Sequence, residues 1–176
     1  MSDTNTHAML GPSGASRWLH CQGSVILSKD LPNVTSKWAQ EGTDLHELGA
    51  YALEEGVACE TLVGRALPSG TVVTDEMAEL VQKGYVDHVL TYATGGSLTV
   101  ETRVPLEFLT GEVGAHGTAD AIVIHESREL VVIDFKGGAG VEVSPEHNEQ
   151  LQLYALGAIG LHQLNEEVDT VRLVIC

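Results

Sequence analysis

Two apolar runs joined by the short polar stretch "HESRE" stand near the middle of the chain, in "GTADAIVIHESRELVVIDFKGG" from Gly117 to Gly138. Branched aliphatic residues bounded by a polar turn favour strands, so the segment predicts a hairpin with strands over 117–126 and 129–137. Strand side chains alternate between faces. Val132, Asp134 and Lys136 therefore share one face, and Val131, Ile133 and Phe135 share the other. A hairpin symmetric about Ser127 sets Ile124 against Leu130, Ile122 against Val132, and Asp120 against Asp134. Cross-strand Cβ atoms lie roughly 4.5–5.5 Å apart, and like charges placed there destabilise the pair. Lys136 relieves part of that repulsion, and a divalent cation with oxygen ligands relieves more. A slip of one residue would send the two aspartates to opposite faces.

The flanking sequence supplies further elements. "SLTVETRVP" (97–105) reads as a strand before the hairpin, and "DTVRLVIC" (169–176) as a fourth strand after it. Upstream, Ser13 is placed to cap a short helix carrying "ASRWLH", which ends near Gly23, with a loop through "SKDLPNVTSK". "EGTDLHELGAYALEEG" predicts a helix with Thr43 at its N-cap and Gly56 as its stop. A second helix opens at Thr74, with Asp75 and Glu76 in its first turn, and runs to Gly95-Gly96. Ser144-Pro145-Glu146 predicts the start of a last helix through "HNEQLQLYALGAIG". Helices, three strands, helix, strand is the order of an α/β fold with a mixed four-stranded sheet flanked by helices. Residues 1–12 read as a flexible leader and 13–176 as a single domain.

A chain of 176 residues with 43% hydrophobic content is long enough to build one substantial core. No apolar run reaches the ~18 residues of a membrane helix, and the start lacks a signal-peptide pattern. A cytoplasmic protein without a membrane partner is the expectation. Cys21, Cys59 and Cys176 are widely spaced and form no CxxC pair, which argues against a disulfide framework or a zinc ribbon. The formal charge is −16, and the nine basic residues form no stripe. Nucleic-acid binders usually carry such a stripe, although a bound divalent cation changes the local sign.

Other polar residues can converge on the aspartates. His46 is expected in the first turn of its helix, as an imidazole ligand. Gln150 and Tyr154 are spaced i, i+4 and so share a helix face. Phosphodiester hydrolysis gains from a metal that polarises the phosphate and from a lysine that steadies the attacking water. Asp120, Asp134 and Lys136 are the residue types for those roles.

The set resembles the PD-(D/E)XK nuclease superfamily, and within it the RecB-like exonucleases. Their pattern of a helical histidine, Gly-x-x-Asp, Asp/Glu-x-Lys and Gln-x-x-x-Tyr is matched by His46, Gly117 to Asp120, Asp134 to Lys136, and Gln150 to Tyr154. "SGASRWLHCQGS" is similar to the start of a phage-encoded branch of that group. The resemblance spans roughly residues 13–176. It implies a restriction-endonuclease-like αβββαβ core with extra N-terminal helices. It further implies a metal-dependent deoxyribonuclease of phage or prophage origin, acting as an exonuclease. Mg²⁺ or Mn²⁺ would be bound by His46, Asp120, Asp134 and the Phe135 carbonyl. Lys136 would assist the water, while Gln150 and Tyr154 would orient the lysine and the DNA. Some relatives hold an iron–sulfur cluster, but Cys21 alone matches the early ligand and no late trio exists, so no cluster is expected. Glu101 is a candidate carboxylate behind the ligands. Arg17 and Trp18 are candidates for contact with nucleic acid, the tryptophan equally for core packing. His116, His125, His147 and His162 read as surface residues. DNA is the expected partner, together with a phage recombination or replication protein or a second copy of the chain. Two other readings stay open: a catalytically weak DNA-processing partner, and an acidic protein-interaction module.

Overall fold

The computed structural model describes residues 8–29, 37–137 and 143–176. Helices α1 (Ala15–Trp18), α2 (Gly23–Ser28), α3 (Lys37–Glu55), α4 (Asp75–Val81) and α5 (Asp87–Ala93) precede the sheet. Strands β1 (Gly96–Pro105), β2 (His116–His125) and β3 (Glu129–Asp134) follow, with the short α6 (Glu107–Thr110) between the first two. Helix α7 (Glu149–His162) then crosses to β4 (Thr170–Ile175). The sheet order is β1-β2-β3-β4. β1 and β3 run antiparallel to β2, whereas β4 runs parallel to β3. This is the mixed four-stranded sheet expected of the sequence.

The hairpin register is the symmetric one. Ile124 pairs with Leu130 and Ile122 with Val132, and the last β2–β3 pair is Ala121 with Ile133. β3 is buried on both faces. Val131, Ile133 and Phe135 pack with Leu45, Leu48 and Ala52 of α3 and with Val81, Tyr85 and Val89. Leu130 and Val132 pack with Leu151, Tyr154, Ala155 and Ala158 of α7. Each fully buried side chain of this size contributes about 1.5–3 kcal/mol. Two helical layers therefore clamp the strand whose end carries Asp134.

Helix boundaries depart from expectation in three places. α3 begins at Lys37, so Thr43 lies inside it and its hydroxyl donates to the Ala39 carbonyl at 3.0 Å. His46 is consequently near mid-helix, held by two flanking turns. Asn148, not Ser144, caps α7: its side chain accepts from the Leu151 N–H at 3.0 Å. The Ser144 hydroxyl is already used by the Glu146 N–H at 3.1 Å, and His147 at φ 56° separates that turn from the helix. At the N-terminus Ser13 falls within a 3₁₀ turn, Pro12–Gly14, whose cap residue is Gly11, and α2 adds a helix not read from the sequence.

Thr74 does cap α4, accepting from the Met77 N–H at 3.2 Å. α4 and α5 are joined by a π turn, Gln82–Val86. Of the expected leader, residues 1–7 lie outside the described residues, as does most of the expected loop after Lys29. The Met9 and Leu10 N–H groups each donate to the Glu112 carboxylate at 2.9 Å, so this part is anchored to the body. No described helix is long and apolar enough to cross a membrane.

Candidate metal centre

The carboxylates gather where the β2–β3 ladder runs out. Continuing the register by one pair sets Asp120 opposite Asp134. Asp120 is buried, and its Oδ2 accepts the Phe135 N–H at 2.7 Å, so the side chain closes the ladder. Gly117, three residues earlier, leaves room for this strand end. A Cβ there would come within 2.5 Å of Pro12 and 2.7 Å of the Tyr154 ring. Asp120 Oδ1 lies 3.3 Å from Nδ1 of half-buried His46. The His46 ring in turn rests against Phe135, with centroids 5.3 Å apart.

Glu101 completes the cluster. β1 pairs with β2 at Val100–Ala121 and at Thr102–Ala119 but not between them, which leaves Glu101 across from Asp120. Its φ is 46°, a left-handed conformation that a non-glycine residue seldom adopts within a strand. Such strain persists only where its surroundings enforce it, and it concentrates at functional sites. His46, Glu101 and Asp120 each offer one donor atom, and these atoms lie within 4.8 Å of one another.

Asp134 belongs to a second, adjoining network. It is 2% exposed, with Oδ2 at 2.7 Å from the Lys136 ammonium and Oδ1 accepting from Gln150 Nε2 at 3.1 Å. Gln150 Oε1 accepts from Lys136 at 3.2 Å, and Nε2 also donates to the Tyr154 hydroxyl at 3.1 Å. An ammonium only donates and a carboxylate only accepts, so these partners determine which way the Gln150 amide points.

The family described as "Protein of unknown function (DUF2800)" matches residues 7–176 of this sequence. The chain belongs to the DUF2800 family.

Electrostatics in this DUF2800 chain follow from crowded acids. Burial and then the Asp120 charge push Glu101 up to about 7, although part of the residue reaches solvent. Burial raises Asp134 above its ordinary value, Asp120 adds to this, and Lys136 opposes it. For His46 burial acts downward, but the Asp120 hydrogen bond and the charges of Asp120, Asp134 and Glu101 leave it raised. Burial is the main cause for Glu101 and Asp134, and neighbouring carboxylates the cause for His46. The two carboxylates suit a hard divalent cation such as Mg²⁺ or Mn²⁺, the imidazole nitrogen favours a transition-metal ion, and a cation there would relieve the part of the Glu101 shift that Asp120 causes.

The sequence-derived residues thus divide into two groups. His46 and Asp120 come together with Glu101 as the donor set, so Glu101 stands among the ligand candidates and not behind them. Asp134, Lys136, Gln150 and Tyr154 form the neighbouring chain of contacts. Phe135 meets Asp120 through its N–H, and Tyr154 is buried and touches Gln150. Arg17 is exposed on α1 and has no contact with this cluster among the described residues. The Trp18 indole donates to the Gly11 carbonyl at 2.9 Å and packs with Ala15, Leu106 and Leu153, a core role.

Tyr85 was not foreseen. Its ring stacks on Phe135 at 4.8 Å, and its buried hydroxyl has no hydrogen-bond partner among the described residues. Burial, then the charges of Asp120 and Glu101, raise its pKa. It stands on the π turn, a feature that often marks functional sites. No spacing in the sequence announces that turn.

Proposed function

We propose that this DUF2800 chain is a metal-dependent DNA nuclease that hydrolyses phosphodiester bonds from strand ends, related to the PD-(D/E)XK enzymes and encoded by phage or prophage. Its place of action would be the host cytoplasm. The observation that carries the reading is the juxtaposition of the His46–Glu101–Asp120 donors with the Asp134–Lys136–Gln150 network. Mg²⁺ or Mn²⁺ held by His46, Glu101 and Asp120 would supply Lewis-acid polarisation of the scissile phosphate. Lys136 donates a hydrogen bond to the attacking water and stabilises negative charge that grows on the phosphate oxygens. Asp134 and Gln150 keep the ammonium in place, and Tyr154 holds the Gln150 amide. Preorganisation of this kind matters because no reorientation is then needed as charge develops.

The test is digestion of end-labelled DNA in Mg²⁺ and in Mn²⁺, with metal affinity measured by calorimetry. Wild-type protein should shorten the label progressively. Asp120→Asn should lose metal affinity and digestion together, while the Asn carbonyl can still accept the Phe135 N–H and preserve the fold. Wild-type protein that binds neither metal would refute the site. A second reading rests on the charge of −16 with nine basic residues. In that reading the same fold serves as a DNA-processing partner or acidic interaction module, and metal binding without digestion would favour it.

A further inference from the structure

A cleft of about 670 Å³ opens beside the donor cluster, with His46 and Glu101 in its wall. α3 forms one side and the segment from Leu62 to Val73 the other. That segment is built as a small hairpin. Gly64 N–H donates to the Val73 carbonyl and Val73 N–H to the Arg65 carbonyl, both at 2.9 Å, and Ala66 bridges Val72. Gly64 at φ 83° and Gly70 at φ 88° supply its left-handed positions. Buried Asp44 fastens the tip to α3, accepting from the Thr71 hydroxyl at 2.7 Å and from Gln40 at 3.0 Å. The wall is therefore held in place by the body.

The lining chemistry selects among ligands. Leu48, Leu62, Leu67 and Pro68 make it largely apolar, and Arg65 is its one lysine or arginine among the described residues. The exposed guanidinium lies over the Tyr51 ring at 4.5 Å and donates to its hydroxyl at 2.7 Å. These two contacts hold the side chain at the cleft wall, and the residue is otherwise exposed. Guanidinium and aromatic planes are the surfaces on which unpaired bases stack. Glu47 and Glu54 also line the cleft, and their negative charge disfavours a phosphate beside them. A stacked base pair offers only its edges, so a base must leave the duplex to enter such a cavity.

We propose that this cleft receives an unpaired nucleobase, stacked on Arg65, while the neighbouring phosphodiester lies at the His46–Glu101–Asp120 cluster. The placement of that phosphate rests on the nuclease reading; the affinity of the cleft for a base does not. The substrate is then a single-stranded or frayed end.

A single-stranded trinucleotide with phosphorothioate linkages and a terminal 2-aminopurine is the probe, titrated with full-length protein in Mg²⁺ and followed by fluorescence quenching. The comparison probe carries the same base paired in a blunt hairpin. The unpaired probe should bind at least about tenfold tighter, the scale of one stacked base. Arg65→Ala, which removes the platform, and Leu67→Trp, which fills the cleft, should each weaken it about tenfold. Mn²⁺ affinity by calorimetry should stay unchanged in both, which shows that they remain folded. Equal binding of the two probes, no binding of either, or wild-type affinity in both variants would overturn the proposal. Parallel digestion of end-labelled DNA separates the two ideas. Probe binding without digestion supports the cleft and refutes the nuclease, whereas digestion with unaltered probe binding in both variants refutes the cleft alone.

Discussion

Lys136 is exposed, yet its ammonium meets two acceptors, Asp134 Oδ2 at 2.7 Å and Gln150 Oε1 at 3.2 Å. That restraint turns a flexible side chain into a fixed charge, and a fixed charge lowers a barrier more than it strengthens ground-state binding. Lys136→Ala should therefore slow digestion of end-labelled DNA by about a hundredfold or more. Metal affinity should persist or rise, because a cation beside the aspartates has gone. Lys136→Arg should not restore the rate fully, since a planar guanidinium cannot occupy the point position of an ammonium. Digestion by Lys136→Ala at the wild-type rate would remove the lysine from the mechanism. Tyr154 acts one contact further away. Its hydroxyl accepts from Gln150 Nε2, which keeps a second acceptor in Asp134. Tyr154→Phe should thus cost about 1 kcal/mol in urea unfolding and slow digestion only modestly. A much larger loss of stability with unchanged digestion would make the residue purely structural.

At the level of elements, α3 and the π turn are fitted to each other through one glycine. A Cβ at Gly49 would lie 2.7 Å from the Tyr85 ring and 3.3 Å from Val81. Gly49→Ala should destabilise the protein by about 1–3 kcal/mol, read as a lower urea midpoint at unchanged slope. It should also weaken metal binding, because Tyr85 stacks on Phe135, whose N–H holds Asp120. How far such relations can be read from sequence depends on whether their causes are local. The β2–β3 register was legible because a short polar turn between two apolar runs favours the pairing symmetric about Ser127. The neighbourhood of Asp120 and Asp134 came with it. The start of α3 was not legible, since Lys37 to Thr43 carries polar helix formers without an apolar stripe, and Trp38 is exposed. The place of Glu101 among the donors was also hidden. Only its left-handed φ interrupts the ladder there, and nothing in "TVETR" encodes that conformation. The hairpin over the cleft, by contrast, is closed by local hydrogen bonds between Gly64, Arg65 and Val73.

For the whole molecule, the net charge is −16, and at the donor cluster and the network beside it His46, Glu101 and Asp134 all hold protons more tightly than their ordinary values allow. A group whose folded pKa is raised binds its proton better in the native state, so stability falls as pH rises through the interval between the two values. For Glu101 that interval runs from 4.5 to about 7, for Asp134 it extends upward from 3.8, and for His46 upward from 6.5. All three act in the same direction. Glu79, Glu149 and Asp169 have lowered values, so their stabilising contributions are lost only in more acidic solution. Growing negative charge adds self-repulsion in the same sense. In EDTA the melting temperature should therefore decline from about pH 5.5 to about pH 7.5. Excess Mn²⁺ should offset the decline, because it binds the deprotonated cluster of the folded state. A hundredfold excess over Kd is worth about 2.7 kcal/mol. Glu101→Gln should flatten the EDTA profile and reduce the Mn²⁺ shift, as one titrating donor becomes a neutral amide. Scanning calorimetry of both proteins across this range decides the matter. A wild-type melting temperature that rises with pH in EDTA would mean that the cluster is not a store of uncompensated negative charge. An Mn²⁺ shift undiminished in Glu101→Gln would take Glu101 out of the donor set.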